Sequence, residues 1–270
     1  MVSGPADVIN TLPAKGTIAR FADRWVYVFM AGLFVITALA GFIPDSIAIL
    51  TEIRAHARPP LPAVMHMHAL LMGSWLLLLF AQTLLMATGR RHLHRKIGVV
   101  ALVLVPLILV TMVCLVRVSF EDVAIASTAQ GADPAEISNL QLLVSSLLPE
   151  QVRAALLFGI FTAWALCVRN RDSQAHKRLM VLATLMPLPA AIDRLEWLPS
   201  TLPASPDSSS LYILLWLSPV LVYDLLRRGR LHRVYVIGLS LNLPFAVASH
   251  FLAGSSWWIA TAPRLVGIRW

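Results

Sequence analysis

The chain has 270 residues, 58% of them hydrophobic and only 13% charged, with a mean hydropathy of +0.74 and a net charge of +8. A soluble domain carries about a quarter charged residues and roughly half apolar ones, so this composition excludes an ordinary soluble fold. The apolar residues gather in long blocks and do not alternate with polar ones, which points to membrane helices and away from a β-barrel. The basic surplus lies in short turns between blocks. It therefore reads as an orientation signal and a contact for anionic headgroups, with no nucleic-acid surface implied.

Residues 1–24 are polar and carry Pro5, Pro13 and Gly16, and read as a flexible or interfacial cytoplasmic segment with no cleavable signal sequence. Seven apolar blocks follow within 25–252, at about 25–43, 63–88, 97–118, 151–168, 177–198, 211–226 and 232–252. Each is near the roughly 20 residues that a helix needs to cross the hydrocarbon core. Residues 253–270 form an outer tail in which Trp257 and Trp258 suit the membrane interface. The expected fold is thus an all-α polytopic membrane bundle of about seven transmembrane helices.

Lysine and arginine cluster on one side: Lys15, Arg20 and Arg24, then Arg90 to Lys96, Arg169 to Arg178, and Arg227 to Arg233. This bias places the N-terminus in the cytoplasm and the C-terminus outside. The long stretch 119–150 is then an outer loop. Asp133, Pro134 and Glu136 spell a helix start, and Ile137, Leu140, Val144 and Leu147 recur on one face. An amphipathic helix lying on the outer surface is expected there. Cys114 and Cys167 sit near opposite ends of their spans, too far apart for a disulfide, and read as packed thiols.

Three spans begin with histidine followed by a basic residue: His94, His176 and His232. Pro106, Pro187 and Pro244 follow at matching depth. The bundle therefore reads as three related hairpins behind one leading helix, a kind of internal repeat common in transporters. Each proline is expected to bend its helix by freeing a carbonyl one turn back.

Ionisable groups recur at the outer end. His66 and His68 open the second span, Asp193, Arg194 and Glu196 close the fifth, and His250 closes the seventh. Imidazole and carboxylate are ligands for zinc, iron and copper, so His66, His68, Asp193, Glu196 and His250 are the candidate metal group. Met65, Met67 and Met72 surround the two histidines, and imidazole with thioether suits copper. His66 and His68 point in opposed directions on a regular helix, and His68 lies on the polar stripe with Met72, Trp75 and Gln82. At the inner end His94, His176 and His232, with His92 nearby, form a rim suited to an anion, such as a lipid phosphate or the propionate of haem b.

The order HxH at His66 and His68, GRRxLHRxxG at 89–98 and HKRLM at 176–180 resembles a group of bacterial multi-pass membrane families of unknown function. Similar His-bearing bundles include oxidase-assembly proteins and b-type cytochromes. The resemblance covers roughly the second to the seventh span. It implies a bacterial inner membrane and seven helices, and it leaves a respiratory-complex or homo-oligomer partner open. The two widely spaced histidines that a di-haem b cytochrome carries in one span are missing.

The expected function is an inner-membrane protein with an outward His/carboxylate metal or haem site, in redox chemistry or cofactor assembly. Two alternatives stand beside it: a small-molecule transporter built of hairpins, and a membrane metal-dependent hydrolase.

Overall fold

A computed structural model describes residues 15–269 of the chain. These residues form ten helices and no strand: α1 (Lys15–Arg54), α2 (Ala63–Ala87), α3 (Arg91–Gly98), α4 (Ala101–Ser127), α5 (Pro134–Val168), α6 (Ser173–Leu185), α7 (Pro189–Ile192), α8 (Asp207–Arg228), α9 (Arg233–Leu252) and α10 (Ser256–Leu265). Six of them, α1, α2, α4, α5, α8 and α9, are long and apolar enough to cross a membrane. The expected N-terminal segment lies outside the described residues up to position 14, and from Lys15 onward it is the first part of α1.

Several helices outrun the apolar blocks that seeded them. α1 has 40 residues and α5 has 35, so they extend about 60 and 52 Å at 1.5 Å per residue. That exceeds the roughly 30 Å of a hydrocarbon core. The expected outer loop is correspondingly small: α4 continues to Ser127, and α5 starts at Pro134. Asp133 caps α5 by accepting a hydrogen bond from the Ala135 N–H at 2.9 Å, with Pro134 in the first turn, as its sequence demands. The amphipathic segment does not lie flat on its own. It runs without a break through Pro149 into the membrane-length part of α5. The prolongations of α4 and α5 meet α10 in a second apolar cluster of Phe120, Leu148, Trp258 and Ala262, fixed by the Trp258 indole donating to the Ser145 carbonyl at 2.8 Å.

The three repeated prolines behave differently. Pro106 and Pro244 sit inside the continuous helices α4 and α9. Pro187 lies in a break between α6 and α7. The local sequence explains the difference, because Pro187 and Pro189 remove two amide donors within three residues. The Ala183 and Leu185 carbonyls accept instead from Met186 and Leu188, three residues on, at 3.2 Å each.

The broken stretch is the centre of the bundle. Leu179, Leu182, Ala183 and Leu185 on α6 are fully buried, and so is Ile192 on α7. Around them pack Phe34 of α1, Trp75 of α2, Ile108 of α4, Phe158 and Phe161 of α5, Leu217 of α8 and Tyr235 of α9. The Trp75 ring meets Phe158 edge to face at 5.1 Å and donates its N–H to Thr184 at 3.0 Å. α1 closes on α7 at Gly41, where a side chain would collide with the Ala191 carbonyl.

Cys114 and Cys167 are free, and both are exposed on the outside of the bundle where packed thiols were expected. Their faces of α4 and α5 are turned away from the core.

Candidate functional site

The groups expected to form an outer metal site do not assemble. His68 is half-buried and His66 is exposed. The His68 Nδ1 lies 2.9 Å from the Thr111 hydroxyl, whose own proton goes to the Ile108 carbonyl. His68 therefore donates through Nδ1, and the contact ties α2 to α4. Asp193 accepts the Ser209 hydroxyl at 2.8 Å. His250 donates to Asp207 at 3.0 Å on an exposed rim. Glu196 is exposed, and Arg194 turns to Asp45 at 3.0 Å. Among the described residues no group of three or more His, Cys, Asp or Glu is placed to hold a metal ion. The physical reason is that His68, Asp193 and His250 are each held by a different partner, Thr111, Ser209 and Asp207, while His66 and Glu196 face outward.

The inner rim assembles in part. The His94 and His176 rings stand perpendicular at 6.4 Å. His176 donates from Nδ1 to the Ala165 carbonyl at 2.9 Å, and the His94 Nδ1 sits 3.4 Å from the Gln82 carbonyl. Each histidine thus reaches back to the helix before it and clasps its own turn. Burial holds the His94 imidazole below its ordinary value of 6.5, against the opposite pull of the Gln82 carbonyl. His232 does something else: its Nδ1 accepts the Val234 N–H and starts α9. It faces a cavity of about 410 Å³ lined also by Asp172, Arg228, Arg230 and Arg233. Asp172 caps α6, and the Ala175 N–H on its carboxylate holds it below the usual carboxylate range.

Two constellations went unread in the sequence, and both are buried. At the basic end Arg178 of α6 grips Asp224 of α8 with two hydrogen bonds, one of 2.9 Å through Nε. Arg178 is only 1% exposed and Asp224 is 0% exposed. Toward the other end, Arg153 pairs with Glu150 one turn earlier on α5 and donates to the Asn242 amide oxygen of α9 at 2.9 Å. Arg153 is 1% exposed, and Glu150 and Asn242 are each 7% exposed. Counting from the basic ends of their helices, Arg153 is about 22 Å deep and Asn242 about 14 Å deep at 1.5 Å per residue. Both lie on helices long and apolar enough to cross a membrane.

The second constellation is the stronger candidate site, because it is polar, deep and incompletely paired. Among the described residues, Glu150 Oε1, Arg153 Nε and the hydroxyls of Ser145, Ser146 and Ser249 are buried with no hydrogen-bond partner. Buried polar atoms in native proteins almost always have partners, so such a group marks a place for water, a proton or a solute. Asp193 lies within electrostatic reach of both Glu150 and Arg153. One signal was available in advance: Glu150 and Arg153 are spaced three apart between apolar runs, a helical pair rather than a loop edge.

These observations define an all-helical protein whose six long apolar helices fit an integral membrane protein, with an ion pair buried inside the bundle. Comparison with protein-family models, curated proteins and solved structures finds no match to the chain.

Proposed function

We propose that the protein is a membrane carrier for a small polar solute, which binds at the Glu150–Arg153–Asn242 centre between α5 and α9. The observation that carries this reading is the buried charge pair with partnerless polar atoms around it. Ionisable groups at membrane depth are costly and usually mark a pathway. A carboxylate beside a guanidinium offers both an acceptor and a donor set, which suits a solute with a charged or zwitterionic head.

In this reading α6 and α7 together make a seventh crossing, interrupted at Met186–Leu188, and the break supplies the hinge. Interrupted helices of this kind flank the binding sites of many carriers. The basic end faces the cytoplasm of a bacterial inner membrane, with the N-terminus inside, and its arginines contact anionic headgroups. The three hairpins follow from the alternating directions of the crossings. The metal, haem and hydrolase readings draw no support from the way His68, Asp193 and His250 are paired.

Single cysteines at Ser146 and Ser249, in a protein whose Cys114 and Cys167 are replaced, test the carrier in reconstituted vesicles. A membrane-impermeant thiol reagent should reach these positions from either face. Labelling from neither face removes the pathway and the carrier with it.

A further inference from the structure

The turn that joins α8 to α9 is short and densely basic, running Arg228, Gly229, Arg230, Leu231, His232 and Arg233. Gly229 ends α8 in the left-handed region with a φ of 66°, and His232 starts α9. The turn is pinned from beneath. The His232 N–H donates to the Asp224 carboxylate at 3.3 Å, and Arg178 holds that carboxylate inside the bundle. Beside it stands the turn from α5 to α6, where Asp172 caps α6 and lies 3.6 Å from Arg233. Arg228 links the two by donating to the Gln174 side-chain oxygen at 2.9 Å.

These turns wall the cavity of about 410 Å³. Small-molecule sites span about 300–1,000 Å³, so there is room for an anion with part of its substituent. Three guanidiniums, Arg228, Arg230 and Arg233, line it against one carboxylate, Asp172. The carboxylates nearby are taken: Asp224 by Arg178, and Asp23 by Arg227. Asp172 itself accepts the Ala175 N–H at 2.8 Å and faces Arg233. Arg230 has no ion pair among the described residues. The lining therefore keeps two positive charges in excess.

His232 adds a neutral donor. Burial, and then the fields of Arg178 and Arg228, hold its imidazole below the ordinary value of 6.5. Its Nδ1 accepts the Val234 N–H at 3.3 Å, so the proton of the neutral ring sits on Nε2.

Such a lining matches one kind of ligand. Guanidinium forks bind phosphate oxygens in pairs. A phosphate monoester carries about −1.5 to −2 at neutral pH, which balances the excess, whereas a phosphodiester carries a single charge. We propose that this cavity binds a phosphate monoester, free in solution or as a lipid headgroup, held by the three arginines with His232 Nε2–H as a further donor. The site is separate from the Glu150–Arg153–Asn242 centre and does not rest on the carrier reading.

Two measurements on the full chain separate the sources. Calorimetric titration of the protein in phosphatidylcholine nanodiscs with inorganic phosphate reads the free form. Native mass spectrometry of protein from phosphatidylcholine vesicles carrying either phosphatidate or phosphatidylglycerol reads the lipid form. Saturable binding of one phosphate per chain, or retention of one phosphatidate where phosphatidylglycerol is lost, is the expected result. The first outcome assigns a soluble ligand, and the second without the first assigns a lipid. Arg230→Gln and Arg233→Gln should each weaken that binding by about tenfold or more, the share of one charge-assisted hydrogen bond. Both side chains are exposed, so the fold should survive either change. Arg91→Gln takes the same charge from α3, outside the cavity, and should leave binding as it is. Absence of both forms of binding overturns the proposal. Equal retention of phosphatidylglycerol without phosphate binding overturns it too, as general contact with anionic headgroups. An equal loss in Arg91→Gln does the same, because the attraction is then diffuse.

Discussion

Arg178 on α6 and Asp224 on α8 join through both oxygens of the carboxylate in a site closed to solvent. The arginine also donates to the Gln174 carbonyl and side chain at 2.9 and 3.0 Å, and the His232 N–H reaches the same carboxylate at 3.3 Å. The pair therefore locks the start of α6, the end of α8 and the turn into α9. Asp224→Asn leaves a buried guanidinium unbalanced, which costs about 3–5 kcal/mol when one partner of such a pair is removed. Detergent-solubilised protein should lose that stability in chemical unfolding. A loss below about 1 kcal/mol, the level of an exposed pair, argues against a closed site.

Gly41 is required by contact. A Cβ there would meet the Ala191 backbone, which cannot swing away as a flexible side chain can. Gly41→Ala should destabilise the bundle by about 1–3 kcal/mol, the usual cost of overpacking. Gly73 on α2 has nothing near its missing side chain, so Gly73→Ala should be neutral or stabilising by up to about 1 kcal/mol through helix propensity. Paired thermal melts of the two variants distinguish packing from propensity.

Trp75 and Thr184 connect α2 to the buried α6 by one hydrogen bond in a dry core. Thr184→Val keeps the shape and strands the indole N–H. A stranded buried donor costs about 1–3 kcal/mol. The tryptophan fluorescence of the variant should change little, since Trp75 stays against Phe158, while its unfolding midpoint falls.

His94 gives the basic end a pH dependence. Its folded-state value is lowered, so the unfolded chain binds the proton more readily than the native protein. Stability is then fully present above about 6.5, and falls as the pH drops from there through the folded value. Melting temperatures compared at pH 7.5 and pH 5 should show this loss, and His94→Gln should reduce it. An equal loss in the variant assigns the acid sensitivity to other groups. Asp172 acts in the same direction at lower pH, because its lowered carboxylate contributes stability that is lost below about 4.

Local patterns were legible where a physical rule acts within a few residues. The cap at Asp133 and the inward place of His68 on α2 are of this kind. The interruption of α6 was half legible: the proline depth was visible, but a bend was expected at all three repeats. Only the second proline two residues on, Pro189, turned one of them into a break.

The polar groups were misplaced for a different reason. Depth along a helix can be counted from sequence, and His66, His68, Asp193, Glu196 and His250 were grouped on that count alone. Rotation about each helix, and which helix lies alongside, cannot be counted that way. Thr111, Ser209 and Asp207 took the partners' places because α4 and α8 stand nearest. Glu150 had been placed at the end of the outer loop and Arg153 at the start of the following span, whereas α5 runs through both without a break.

By itself the sequence determined that this is a helical membrane protein with one strongly basic end, because hydrophobic transfer and charge placement act on each segment separately. Only the tertiary structure decided which charges are buried together, Arg178 with Asp224 and Arg153 with Glu150 and Asn242. Those contacts depend on how helices distant in the chain turn their faces to one another, and side-chain packing across the whole bundle sets that orientation.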